Sequence, residues 1–539
     1  MRKFETLFIT ISLAALVCVT GAEIWRKTQN ANNNQNAIQM PETQFGTFLA
    51  AQHAIYVNDF DNATKFAQKL TDTHLPVVEN IVLISDFLNG QMPTNADLLK
   101  DEKSMPARLI YDAYLIRNEK WPEIHSRHKS DESALGAPLR IWPAIANDWR
   151  TNTFKFIDKL PTNESWKSFV RGQIYAELNQ PDVAATHFAQ VSTDFINVND
   201  YMYLMSFYTH HDMPDAANAL RQDFTSRPGG MFLANYDNIP DWSVYSGYKN
   251  ALAFGLVQNV SHTQIMMYSD MAMLMLRFAE IIAPEYARNE NIIDYYLGQY
   301  LHNNTGDYVE YFSKIKPSSP LYPFAQLRIA ERDNDIDKIN NVLKKYPLFV
   351  PGINKLVGYH IQNGNKRAAL RVVNRALKQD NLDETGRAFF TKSRAYIYYA
   401  FGDYRAAQAD IKDASDILLM DNEIMSLQAK IWAMQNREIE NAYNYAMDLI
   451  TQNPTDIMAW NTLGMVVAVR EGADAALDML ERVGAVSETH SALFVTLGDL
   501  YVSKGEIDLA RDAYLRAIKL SDDGLIVVPE VERKIRKLK

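Results

Sequence analysis

The chain has 539 residues, 47% hydrophobic and 22% charged, with a net charge of −10 and a pI near 5.6. That length exceeds what one compact core usually organises, so it implies several domains or an open-ended array. The acidic balance excludes a general nucleic-acid binder, which needs a basic footprint, and a single cysteine excludes a disulfide framework or thiolate metal centre.

In chain order, residues 1–22 read as a targeting segment. Arg2 and Lys3 precede an uncharged stretch of sixteen residues from Leu7 to Ala22, short for a membrane span and suited to a signal-peptide core. Thr20-Gly21-Ala22 offers small residues before Glu23, so cleavage after Ala22 and export to the periplasm or cell envelope are expected. The rival reading is an uncleaved inner-membrane anchor extended by Ile24 and Trp25, which would associate the protein with a membrane. Cys18 follows Val17, where a lipidation signal wants a smaller residue, and its removal would leave the mature chain without cysteine. Residues 23–43, rich in asparagine from Asn30 to Asn36, read as a polar linker.

Residues 44–290 carry a faint helical-hairpin pattern. Ala51, Ala54, Ala63, Ala67 and Leu70 form one copy; Gly172, Tyr175, Ala184 and Phe188 form another. Residues 229–248 have weak periodicity, and Pro228-Gly229-Gly230 is a loop signal rather than a phosphate cradle, since no strand precedes it. Met266, Met267, Met271, Met273 and Met275 crowd one helix with Leu274 and Leu276; an apolar helix of this kind is expected to be buried, the other reading being an adaptable binding face.

Residues 291–524 repeat clearly. Phe494, Leu497, Gly498 and Tyr501 stand at i, i+3, i+4 and i+7, one face of a helix. Gly505 marks its end, and Ala510, Tyr514 and Ala517 form the matching face of a second helix. Trp460, Leu463, Gly464, Val467, Gly472, Ala476, Leu480 and Val483 make the preceding copy, displaced by about 34 residues. Ala395, Tyr398, Gly402, Ala407, Ile411 and Ala414 make a further copy; Gly364, Ala369, Val373 and Ala376 a weaker one; Leu297-Gly298 one with an insertion. In the copy from Glu423, Lys430 stands where a small residue belongs, which predicts a loosely packed first helix. Residues 525–539, with Arg533, Lys534, Arg536, Lys537 and Lys539, read as a solvated basic cap helix, with a membrane or acidic-partner contact as the rival.

These positions resemble the tetratricopeptide repeat pattern: a large residue fourth, Leu-Gly seventh and eighth, Ala twentieth and twenty-seventh, Pro near the end as at Pro454. The order of segments also resembles a group of exported proteobacterial repeat proteins of undefined function, through Phe48–Ala54 and Ser318–Tyr322 with Ala325–Ala330. The resemblance implies an all-α fold, an α-α superhelix of stacked antiparallel hairpins. It places binding on the concave face, where the matching positions are Lys392, Tyr396, Tyr399, Asn461, Met465 and Asp499. The lysine and asparagine set with which some such repeats clamp a C-terminal carboxylate is not evident in these copies.

No nucleotide-cradle, zinc-protease or nucleophile-elbow motif occurs. His210-His211 are adjacent and share no helical face, and His125 and His128 lie near Glu123 without a clear third ligand. The sequence therefore reads as a non-enzyme without cofactor or metal: a scaffold or assembly factor of the bacterial cell envelope that binds a protein or peptide segment in its groove. The alternative is an accessory component of an envelope polysaccharide export or synthesis machine. Neither client nor oligomeric state is legible.

Overall fold

The computed structural model describes residues 44–538, apart from 57–58, 71–75, 95, 101–103, 132, 134–135, 264–269, 290, 305–306 and 487–488. The targeting segment and linker expected in residues 1–43 lie outside the described residues, as do Met266 and Met267. Among the described residues there are 29 α-helices and no strand. None of these helices is long and apolar enough to cross a membrane.

The chain forms two compact units that divide after Ala107. The first holds α1 (Gln44–Tyr56), α2 (Phe60–Gln68) and α3 (Pro76–Leu88), with a small core of Ala51, Ala54, Ala63, Phe66 and Ala67. The second begins within α4 (Met105–Arg117) and continues through α5 (Trp121–His128), α6 (Ala137–Ala146), α7 (Arg150–Lys159), α8 (Glu164–Glu177), α9 (Pro181–Phe188), α10 (Val198–His210) and α11 (Pro214–Thr225). After two short 3-10 turns at Met231–Leu233 and Trp242–Val244 come α12 (Tyr248–His262), α13 (Asp270–Ile282), α14 (Pro284–Arg288), α15 (Ile292–Asn303) and α16 (Val309–Ser313). Then follow α17 (Tyr322–Asp333), α18 (Ile336–Lys345), α19 (Val350–Gln362), α20 (Lys366–Leu377), α21 (Glu384–Ala400) and α22 (Tyr404–Ser415). The array ends with α23 (Asn422–Gln435), α24 (Ile439–Gln452), α25 (Ile457–Arg470), α26 (Ala473–Val486), α27 (Ser491–Lys504), α28 (Ile507–Lys519) and the single helix α29 (Val528–Lys537).

Helix ends are written locally. Asn163, Asn197, Asp335, Asp383, Asp403, Asp421 and Asp456 each cap a helix with a side-chain oxygen that accepts from its first turn. Hairpin turns pass through left-handed residues, Gly505 at φ +78° after α27 and Asn334 and Asn436 after α17 and α23.

Hairpins close by pairing a missing side chain with a large one. A Cβ on Gly498 would lie 2.4 Å from the Tyr514 ring, and one on Gly464 would lie 2.4 Å from the Leu480 methyl. Gly172 meets Phe188 in the same way at 2.4 Å, and Gly298 meets Phe312 at 2.7 Å. Lys430 breaks the rule in sequence but not in packing: α23 is an unbroken helix with Lys430 buried, not the loose helix expected. The repeat register places Ala446 opposite it, where the neighbouring copies carry Leu480 and Tyr514, so the large and small partners are exchanged.

Met273 and Met275 are buried, as expected of an apolar helix. The weakly periodic stretch after α11 is an inserted strap. Its Phe232 enters a ring cluster with Phe324 and Phe349 at 5.4 and 5.5 Å, and the Tyr236 hydroxyl donates to the Ser318 carbonyl at 2.8 Å.

Candidate functional site

The six groove positions sit on α21, α25 and α27, each the first helix of its hairpin. Along the array each of these first helices packs beside the first helix of a neighbouring hairpin. The structure puts Tyr396 and Tyr399 side by side, and the chain's own end reaches Tyr396 and Asp499.

Lys392 is buried, and its ammonium donates to Asp421 at 2.9 Å and pairs with Glu423 at 2.8 Å. Burial alone would lower its pKa; the two carboxylates more than offset that, and the net shift is upward. Tyr396 and Tyr399 have ring centroids 6.4 Å apart, with Tyr404 6.0 Å beyond Tyr399. Burial pushes the hydroxyl pKa of both Tyr396 and Tyr399 above the ordinary phenol value. Asn461 is 2% exposed, and its Oδ1 has no hydrogen-bond partner. Met465 is half-buried on the next turn of α25. Asp499 accepts from the Tyr514 hydroxyl and from the Lys534 ammonium, each at 2.6 Å.

The covering segment runs from Leu520 to Lys537. Gly524, at φ +71°, brings its backbone against α19: a Cβ there would lie 2.5 Å from the Gly358 Cα. The Gln362 amide donates to Ser521 Oγ at 3.0 Å, and Asp523 accepts from the backbone N–H and hydroxyl of Ser491 at 2.8 and 2.7 Å. The Tyr396 hydroxyl donates to the Leu525 carbonyl at 3.3 Å. Val527 belongs to the core of α17–α21, whereas Ile526 and Val531 belong to the core of α23–α28. The segment thus joins hairpins about 160 residues apart in sequence.

Sequence reading missed this return. Arg533 to Lys539 suggested a wholly solvated helix, but α29 seats Val531 at 3% exposure and fixes Lys534 on Asp499. The signal was present in Ile526, Val527 and Val531, apolar residues too regular for a free tail. Among the histidines, His128 Nε2 lies 2.8 Å from buried Asp112, which also takes Arg127 at 2.5 Å. His262 Nε2 lies 2.5 Å from Asp200, a carboxylate that also caps α10 and accepts from Gln258 at 2.9 Å. No group of three or more histidine, cysteine, aspartate or glutamate side chains is placed to hold a metal ion among the described residues.

The family model of the tetratricopeptide repeat matches residues 492–523. The last hairpin is thus similar to a tetratricopeptide repeat. That match covers nearly all of α27, all of α28 and the first residues of the groove-covering segment. No curated protein matches the chain. Among solved structures, a tetratricopeptide repeat protein from Parabacteroides merdae is similar at 13% identity and TM-score 0.31, over 54% of this chain and 98% of that one. A chain of the APC/C hetero-tetramer Cut9-Hcn1 is similar at 12% identity and TM-score 0.30, over 90% of this chain and 96% of that one. Yeast Tom70 is similar at 14% identity and TM-score 0.31, over 82% of this chain and 97% of its own.

Proposed function

We propose that this protein is a non-catalytic interaction scaffold whose C-terminal hairpins bind a protein segment in their concave groove. The observation that carries the reading is the segment already lodged there. The irregular stretch Leu525–Val527 and the short basic helix after it support a groove suited to apolar side chains between hairpins and a cation on Asp499. A partner segment of the same character, apolar then basic, fits either beside the resident segment or in its place. The apolar, lightly charged segment at residues 1–22 supports a site of action in the cell envelope, with an assembly role there.

Photo-crosslinking from Met465 or Tyr399 in the full chain tests this. A captured protein should bind the purified chain directly and lose that binding in Asp499→Lys. Crosslinks confined to the chain's own residues 520–537 would overturn the reading. Polysaccharide machinery is the second reading, supported by the aromatic content of 11%, and binding of neutral glycans along the tyrosine row of α21 would favour it.

A further inference from the structure

A cleft of about 770 Å³ lies between α5, α6 and α7, and it belongs to none of the groove residues above. Among the described residues its lining includes four cations, Lys129, Arg140, Lys155 and Lys159, and no carboxylate. That runs against the net charge of −10 on the whole chain. Lys155 and Lys159 are one helical turn apart on α7 and share a face. Neighbouring carboxylates are engaged elsewhere: Asp148 pairs with Arg150 at 2.7 Å, Asp158 pairs with Arg171, and Asp131 accepts from Ser133 at 2.7 Å. Among the described residues Arg140 is held by uncharged groups, its Nη1 donating to the Asp131 carbonyl at 2.7 Å and its guanidinium 3.8 Å over the Phe156 ring.

One aromatic side chain completes the site. Trp149 stands at the cleft 44% exposed, presented by a turn through Asp148 at φ +62°, with its ring 4.1 Å from that of His125. His125 Nδ1 is buried without a hydrogen-bond partner. Burial and the charges of Arg140 and Lys129 hold the His125 pKa below the usual imidazole value, as a cavity of positive potential would.

We propose that this cleft binds a small polyanion that carries a ring, of the kind represented by phosphorylated or carboxylated sugars. The anionic groups lie on Lys129, Lys155 and Lys159, and the ring lies against the open face of Trp149. Several un-neutralised cations in a concavity call for more than one negative charge. The volume falls within the ~300–1,000 Å³ usual for small-ligand sites. A large exposed indole at the cleft supplies a flat apolar platform for a ring.

Calorimetry on the full chain at low ionic strength tests the proposal with four probes: glucose 6-phosphate, digalacturonate, pyrophosphate and glucose. One or both ring-bearing anions should bind, pyrophosphate more weakly, and glucose not at all; the tighter of the first two identifies the anionic group. Lys155→Gln with Lys159→Gln, both exposed positions, should weaken binding at least about tenfold, with an unchanged melting curve. Trp149→Ala should remove the advantage of the ring-bearing anions over pyrophosphate. The proposal is overturned if no charged probe binds, if glucose binds as well as its phosphate, or if the double lysine variant binds as the parent does.

Discussion

Between Glu384 and Lys519, hairpins close by setting a short residue against a long one: Gly464 under Leu480, Gly498 under Tyr514, Ala446 across from Lys430. Between Glu164 and Ile282 the Gly172–Phe188 crossing obeys the same rule, but a second scheme is added around it, a cluster of rings from other hairpins. Phe169 stacks on Phe254 at 5.7 Å and meets Tyr203 at 5.4 Å, and Tyr203 meets Trp242 and Tyr245 at 5.2 and 5.1 Å. The first scheme repeats, because each crossing is a local pair about sixteen residues apart and needs nothing from other copies. The second does not, because the ring cluster gathers α8, α9, α10, α12 and the strap turn at Trp242–Val244 into one body. Regularity in a solenoid thus follows from how locally each contact is satisfied.

The largest expected effect breaks the aromatic body. Phe169→Ala removes a fully buried ring and should cost about 3–5 kcal/mol, and because coupling is between neighbours it should melt α8–α13 before α23–α28. Hydrogen exchange would show that order, and uniform loss of protection across both regions would contradict the comparison. Next comes the short–long pairing. Gly464→Ala should destabilise the C-terminal hairpins by about 1–3 kcal/mol through overpacking, with part of that recovered in the double variant with Leu480→Ala. Full additivity of the two changes in denaturant melts would sink the pairing.

The exchanged pair gives an effect of opposite sign. Burial lowers the Lys430 pKa to about 8, against the attraction of Asp456 and Glu423. Its unfolded form keeps the proton up to the ordinary lysine pKa, so this contribution to stability rises with pH between about 8 and 10.5. Lys430→Met should therefore stabilise the protein at pH 7 by about 1–2 kcal/mol, and the gain should shrink by pH 10. The smallest effect belongs to the strap. Burial raises Glu177 to about 7 even though its carboxylate accepts from the Gly247 N–H at 2.8 Å. The folded form therefore holds its proton longer than the unfolded one, and stability falls as pH rises from about 4.5 to 7. Glu177→Gln should flatten that slope and add about 1 kcal/mol at pH 8, read from urea midpoints.

The legibility of the sequence follows the same division. Phe494, Gly498, Ala510 and Tyr514 announce their hairpin because each residue's role is settled by partners within it. Phe232 and Trp242 were unreadable because their partners lie on other hairpins, as far away as Phe349. The six groove candidates fall on the first helices of their hairpins, but Tyr396 and Asp499 contact residues 525 and 534, which no local pattern reports. No local pattern marks the cationic cleft, because its charges come from the end of α5, from α6 and from α7, and only Lys155 and Lys159 share a helix.

The C-terminal segment folds back across the hairpins and packs between α19, α21 and α27. Cysteines at Gln362 and Ser521, whose side chains are 3.0 Å apart, test it in a full chain with Cys18→Ser. Treatment with a short bis-maleimide should link the two positions rapidly within one molecule, and mass spectrometry of the digest should recover the joined peptides. Two freely alkylated cysteines without a link would contradict the account.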